Sequence, residues 1–173
     1  MSLQNHQTPY DARVVANAML DAGDEVGSPL SVMKLLKLLY FAYGWYLVSA
    51  GTPLFHNPIE AWKRGPVVRA VWAEFRGQQD RITSRAKILN LNTGVREVPR
   101  DRVPPELFEF LRQILKGYDS YTALELSAMT HERDTPWSTV WHSLDQSANL
   151  GARITDEEIR NYFLRYPNQS ILS

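Results

Sequence analysis

Apolar residues near the start of the chain recur at helical spacing: Ala12, Val15, Ala16, Met19 and Leu20 fall at i, i+3, i+4, i+7 and i+8. Thr8 can cap this helix, and Pro9 suits its first position, where the missing N–H has no partner to lose. The stretch "GDEVGSP" interrupts the pattern, and Ser28-Pro29 restarts it as a second helix from about Leu30 to Ala50. Its polar strip is little more than Lys34 and Lys37. A helix apolar on nearly every side is enclosed by its neighbours. This predicts a central buried helix that ends at Gly51.

Between Thr52 and Pro66 the period changes. "NPIEAWKRGP" alternates briefly, Ile59 and Ala61 against Glu60 and Trp62, and prolines bound it, which predicts a short strand. Side chains two residues apart share a face of a strand. Ile59 and Ala61 should therefore face the second helix, and Glu60 and Trp62 should point away from it. Trp62 is expected partly at the surface, covered by the 77–103 loop, by the 130–137 element or by a partner. Gly65-Pro66 reads as the turn into a third helix, with Val68, Val71, Trp72 and Phe75 as its apolar stripe and Arg69, Ala73 and Arg76 opposite.

Asn92-Thr93-Gly94, between "KILNL" and "VREV", predicts a hairpin turn. Its strands are expected to form a two- or three-stranded sheet that includes the Ile59 segment. Pro104-Pro105 opens a fourth helix, with Leu107, Phe110, Leu111 and Ile114 on one face. Thr122 to Glu125 is a capping box for a fifth helix, and Thr155 to Glu158 is another for the last. Thr135-Pro136 starts the sixth, whose stripe is Trp137, Val140, Trp141 and Leu144; the last carries Ile159, Tyr162, Phe163 and Tyr166. No repeat, low-complexity tract or long linker divides the chain. The expected fold is mostly α: one domain over residues 1–173, with its core at about 10–166. It surrounds a central hydrophobic helix and includes a small two- or three-stranded β element.

Composition narrows the function. Five Trp, eight Tyr and six Phe supply ample core, while a formal net charge of zero announces no nucleic acid or membrane partner. The absence of cysteine removes disulfides, thiolate zinc sites and a cysteine nucleophile together. "MSLQNHQTPYDAR" has no basic region followed by an apolar one, so no signal peptide is visible. The apolar run Leu38 to Val48 is shorter than the ~20 residues of a membrane span. A cytoplasmic protein without membrane contact is expected. The even charge hides an asymmetry, however: residues 63–102 hold ten basic residues against Glu74, Asp80, Glu97 and Asp101. Such a segment is a solvated face, or else a docking surface for an acidic partner or a phosphate backbone.

Candidate chemistry is sparse. His6, His56, His131 and His142 form no H-E-x-x-H or H-x-x-x-H pattern, so no metal site is assigned. "THERDTPW", Thr130 to Trp137, gathers His131, Glu132, Arg133 and Asp134 just before a helix, as a general base with an orienting carboxylate would require. No G-x-S-x-G elbow supplies a nucleophile. The preferred reading is structural, a helix end with Trp137 as a packed anchor. Neither G-x-x-x-x-G-K-[ST] nor G-x-G-x-x-G is present, so no nucleotide cofactor is expected. A non-enzyme without cofactor or metal is the outcome.

Together these residues resemble a known family. Leu35 to Gly77, "LLKLLYFAYGWYLVSAGTPLFHNPIEAWKRGPVVRAVWAEFRG", is similar to the Panacea antitoxin domain, also met as the phage-associated GepA-like or SocA-like family. The family's K-L-x-K-L-x-Y corresponds to Lys34, Lys37 and Tyr40, and its G-x-P-L-F to Gly51 through Phe55. Its I-x-A-W-x-x-G-P-V corresponds to Ile59 through Val67, including Gly65 and Pro66. A later L-S-x-x-T-H-x-x-x-P-W element is similar to Leu126-Ser127, Thr130-His131 and Pro136-Trp137, with four residues between His131 and Pro136. The likeness runs from about Val14 to Leu144.

The resemblance implies an antitoxin, often carried by prophages, that binds and neutralises a cognate toxin without catalysis. Glu60, Trp62, Lys63, Arg64, Arg69 and Arg76 are the candidate partner-binding residues. Two alternatives stand beside it. One is a nucleic-acid-binding regulator using the basic 63–102 segment, and the other is an adaptor that delivers a bound toxin to a protease. Whether the chain forms a homo-oligomer is left open.

Overall fold

Fourteen of the nineteen residues of helix α2 (Val32–Ala50) are buried, and the other elements are arranged around it. The computed structural model describes residues 9–78, 80–99, 102–143 and 151–165. Ser31 caps α2 by accepting from the Lys34 amide at 3.2 Å, and Gly51 closes it in the left-handed conformation. The helix begins at Val32, two residues later than the pattern suggests, because Ser31 rather than Ser28 supplies the cap. Lys37, expected on the polar strip, is only 1% exposed.

Helix α1 (Ala12–Glu25) starts after Asp11, whose carboxylate accepts from the Arg13 amide. Pro9 does not open it, contrary to expectation, and Thr8 lies outside the described residues. Tyr10 instead bridges to Phe55: its amide donates to Leu54 O at 3.1 Å, and its carbonyl accepts from His56 N at 2.9 Å. A residue committed to an extended pairing cannot also lead a helix.

Strand β1 (Ile59–Trp62) is the centre of a three-stranded sheet in the order β2-β1-β5, all antiparallel, with β2 (Gly65–Val67) and β5 (Ala152–Ile154). Trp62 pairs with Gly65 and Ala61 with Pro66, so Lys63-Arg64 make the turn. Gly65-Pro66 therefore lies in a strand, not at the helix start that the sequence suggested. Helix α3 (Arg69–Phe75) follows Val68 directly. Strands β3 (Ile88–Leu89) and β4 (Arg96–Glu97) form the hairpin expected around Asn92–Gly94, with Gly94 at φ 68°. This hairpin is a separate two-stranded sheet and does not join the Ile59 strand.

Helices α4 (Pro105–Tyr118), α5 (Ala123–His131), α6 (Pro136–Ser143) and α7 (Asp156–Arg165) complete the set, so the fold is mostly α. Both capping boxes form: Thr122 exchanges bonds with Glu125, and Thr155 with Glu158. Leu144 and Tyr166, expected on the last two helices, lie outside the described residues. Inside, Phe41 stacks on Tyr118 at 4.4 Å, and Trp45 Nε1 donates to Tyr118 Oη at 3.0 Å. Gly44 lets α7 approach closely, since a Cβ there would lie 2.3 Å from the Phe163 ring. Among the described residues, no helix is long and apolar enough to cross a membrane.

Candidate docking surface at the β1–β2 turn

Strand β1 divides its side chains as alternation requires. Ile59 and Ala61 are buried against the core, and Glu60 and Trp62 occupy the other face. That second face is not open, because α3 folds over it. Glu60 is 8% exposed, not surface-directed as expected. Its Oε2 accepts from Trp62 Nε1 at 2.8 Å and Arg69 Nη2 at 2.9 Å, and its Oε1 accepts from Arg69 Nε at 3.1 Å. A bidentate guanidinium satisfies a planar carboxylate in fixed geometry. Gly151, next to β5, closes over the pair, where a Cβ would stand 2.8 Å from Arg69 Nη2.

The aromatic rings extend this arrangement outward. Arg69 lies 5.3 Å from the Trp62 ring, Trp62 meets Trp72 at 5.0 Å, and Arg76 lies 5.3 Å from the Trp72 ring. Both tryptophans are half-buried. The result is a ladder of Arg, Trp, Trp and Arg, with each cation over an aromatic face. Trp72, on the expected apolar stripe of α3, packs half-buried against the core and joins its helix to the strand through Trp62. Trp62 is partly covered, as expected, but by α3.

Behind the turn, four side chains hold the backbone through its carbonyls. Trp137 Nε1 donates to Trp62 O at 2.8 Å, His131 Nε2 lies 3.3 Å from Lys63 O, Ser127 Oγ donates to Arg64 O at 2.9 Å, and Lys37 Nζ donates to Pro66 O at 3.1 Å. These donors come from α2, α5 and α6. His131 Nδ1 also lies 2.6 Å from Ser127 O, so a neutral imidazole donates to only one of its two carbonyls. Both nitrogens face backbone carbonyls, so His131 and Asp134 do not form the acid–base pair considered above. The His131 ring packs 3.7 Å from that of Trp137. Gly65 has φ 104°, and a Cβ there would lie 2.7 Å from Thr130 Oγ1 and 2.8 Å from Lys37 Nζ. Only glycine fits.

Most of the motif residues therefore meet at one place. Lys37, Gly65, Pro66, Thr130, His131 and Trp137 surround the turn, and Pro136 opens the helix that carries Trp137. The remaining three lie elsewhere. Lys34 donates to Asp119 O at 3.0 Å, Gly51 closes α2, and Tyr40 packs against Phe41 and Phe163. Lys63 and Arg64 point outward and are exposed.

A cleft of about 700 Å³ opens beside the turn, between α2 and α3. Lys63, Arg64 and Arg76 stand on its rim, Val32, Met33 and Leu36 line its floor, and Asp80 is the one acidic residue among its described lining. Lys37 also lines it. Burial pushes the Lys37 ammonium down to about 7, and among the described residues its one hydrogen bond is to Pro66 O, which leaves two N–H donors unspent there. No carboxylate pairs with it among the described residues. Nor is any group of three or more His, Asp or Glu among those residues placed to hold a metal ion.

The family described as "Antitoxin SocA-like, Panacea domain" matches residues 35–138, a span that contains the turn and its four supports. Antitoxin SocA of Caulobacter vibrioides (strain NA1000 / CB15N) is 34% identical over 157 residues, which is 88% of this chain and 82% of that protein. No solved structure matches the chain.

Proposed function

Because the chain belongs to the SocA-like antitoxin family that carries the Panacea domain, we propose that it is the antitoxin of a toxin–antitoxin pair and neutralises its toxin by direct protein–protein binding. The observation that supports binding is the turn itself. Three helices direct four side chains at the backbone around a two-residue turn, Lys37, Ser127 and Trp137 as donors and His131 with its Nε2 against Lys63 O, and the turn then displays Lys63 and Arg64. Pre-organised contacts lose less entropy on association. Arg and Trp are favoured anchors at interfaces, and the ladder beside the turn presents two of each. Glu60 acts through Arg69 and Trp62, holding the ladder rather than touching the partner.

Protein binding is favoured over nucleic acid by how the basic segment is spent. Arg69 pairs with Glu60, Arg85 with Asp21 and Asp24, and Arg96 with Glu74. Lys63, Arg64 and Arg76 have no ion pair among the described residues, and they gather round one concavity instead of tracking a line of phosphates.

Co-expression with the product of the adjacent gene tests the reading. That product should arrest growth alone, be tolerated with this chain and co-purify with it. A neighbour that is harmless, or that stays toxic and unbound, would remove the proposal. If the toxin disappears from rescued cells but returns in protease-deficient ones, the chain acts as an adaptor for degradation.

A further inference from the structure

We propose that the cleft between α2 and α3 receives an acidic segment of the toxin, with its carboxylates over Lys63, Arg64 and Arg76 and an apolar side chain against Met33 and Leu36. The inference rests on the antitoxin reading and says where and by what chemistry the toxin is held.

Three observations support it. The rim carries three exposed cations without ion pairs among the described residues, against one acidic residue, Asp80. Arg69, Arg85 and Arg96 of the same segment are neutralised within the fold, whereas the cleft gathers those three unpaired cations in one place. Complementary charge steers encounter and rejects wrong partners. The second observation is Lys37, a buried side chain whose one hydrogen bond among the described residues is to a carbonyl. Fully buried lysines are ordinarily paired, and an incoming carboxylate supplies the counter-ion that the fold omits. The third is size. A cleft of about 700 Å³ lies within the range of pockets that enclose a few side chains. Its apolar floor and its Trp62 and Trp72 walls give an anchor something to bury against.

The test compares the wild-type chain, Arg64→Glu/Arg76→Glu and Arg64→Lys/Arg76→Lys, each purified and titrated with the toxin encoded by the adjacent gene. The double reversal should weaken binding roughly 100-fold and abolish rescue, while the lysine pair retains affinity within about tenfold. Replacing the toxin's acidic segment with lysines should restore binding to the reversed chain. Wild-type affinity should fall with added salt, as for exposed charges. If the double reversal lowers Tm, Lys63→Glu repeats the test at the turn without disturbing Trp72. Binding of the reversed chain within about threefold of wild type overturns the inference and leaves the antitoxin reading intact. So does loss of self-association, or of binding to a random DNA duplex, with toxin binding unchanged. If wild type and variants alike neither bind nor rescue, both readings fall, which is a different result.

Discussion

Two tight antiparallel turns lie in the basic part of the chain, one at Lys63-Arg64 and one at Asn92–Gly94, and they are held in opposite ways. At the first, the carbonyls of Trp62, Lys63, Arg64 and Pro66 are met by side chains that belong to helices up to 75 residues away in sequence. The second closes on itself. Gly94 N donates to Asn90 O, Asn90 N to Val95 O, and Asn92 N to Asn90 Oδ1. Its link to the body runs through Glu74, which meets Arg96 and the Lys87 amide. Leu91 is 88% exposed at its tip. The same local geometry thus serves two ends. A turn fastened from behind has a backbone fixed by the whole fold, and its outward side chains inherit that position. A turn fastened locally keeps its shape without fixing anything else.

Glycine substitution is the strongest way to break this contrast. Gly65→Ala meets both a positive φ and three atoms nearer than 3 Å, and should cost ~3 kcal/mol or more of stability. Gly94→Ala has φ 68° but nothing within 4 Å, and should cost about 1 kcal/mol. Urea denaturation of the two variants should separate them clearly. Equal losses would mean that the rear supports add nothing.

Lys37→Met sharpens the comparison through pH. The folded pKa of Lys37, about 7, lies below the usual lysine value of 10.5. Between those values the unfolded chain binds more protons, so this group's contribution rises with pH, by up to ~1.4 kcal/mol per unit. Wild type should therefore gain about 2 kcal/mol relative to Lys37→Met between pH 7 and 9. Parallel stability curves would show that Lys37 does not titrate in that window. Trp137→Phe keeps an aromatic ring but removes the donor to Trp62 O, at a cost of ~1–2 kcal/mol by the same denaturation assay. Leu91→Lys, at the self-contained tip, should stay within about 0.5 kcal/mol of wild type in Tm-derived stability.

What was legible in the sequence were elements whose signals are local. The apolar run of α2, the two capping boxes and the Asn-Thr-Gly hairpin each carry their own instructions within a few residues. The Ile59–Trp62 strand was visible through its alternation. Strand β2 was not, because Gly65-Pro66 ordinarily marks a break and its pairing to β1 makes it a strand. Strand β5 was missed because three residues carry too little periodicity, and its partner Ile59 is 95 residues away in sequence. The start of α1 was misplaced because Thr8-Pro9 and Asp11 both resemble caps, and the choice depends on Leu54 and His56 binding Tyr10. At the candidate surface, the resemblance named residues most of which meet at the turn, but not what they do there. That His131, Trp137, Ser127 and Lys37 all serve one stretch of backbone is a fact of three dimensions. Glu60 was read as outward because alternation assigns a face but does not reveal that α3 covers it.

The origin of those supports has a consequence for synthesis. Lys37 precedes the turn, but Ser127, His131, Trp137 and the pairing strand at Ala152–Ile154 all follow it in the chain. At roughly 5–20 residues per second, the ribosome makes residue 154 some 4–18 s after residue 66. Through that interval the growing polypeptide has Lys63 and Arg64 but not the scaffold that aims them. The geometry that aims Lys63 and Arg64 thus arrives late and abruptly, only once residue 154 has been made. A message cut short after α4 would yield a protein that displays Lys63 and Arg64 on an unfastened loop.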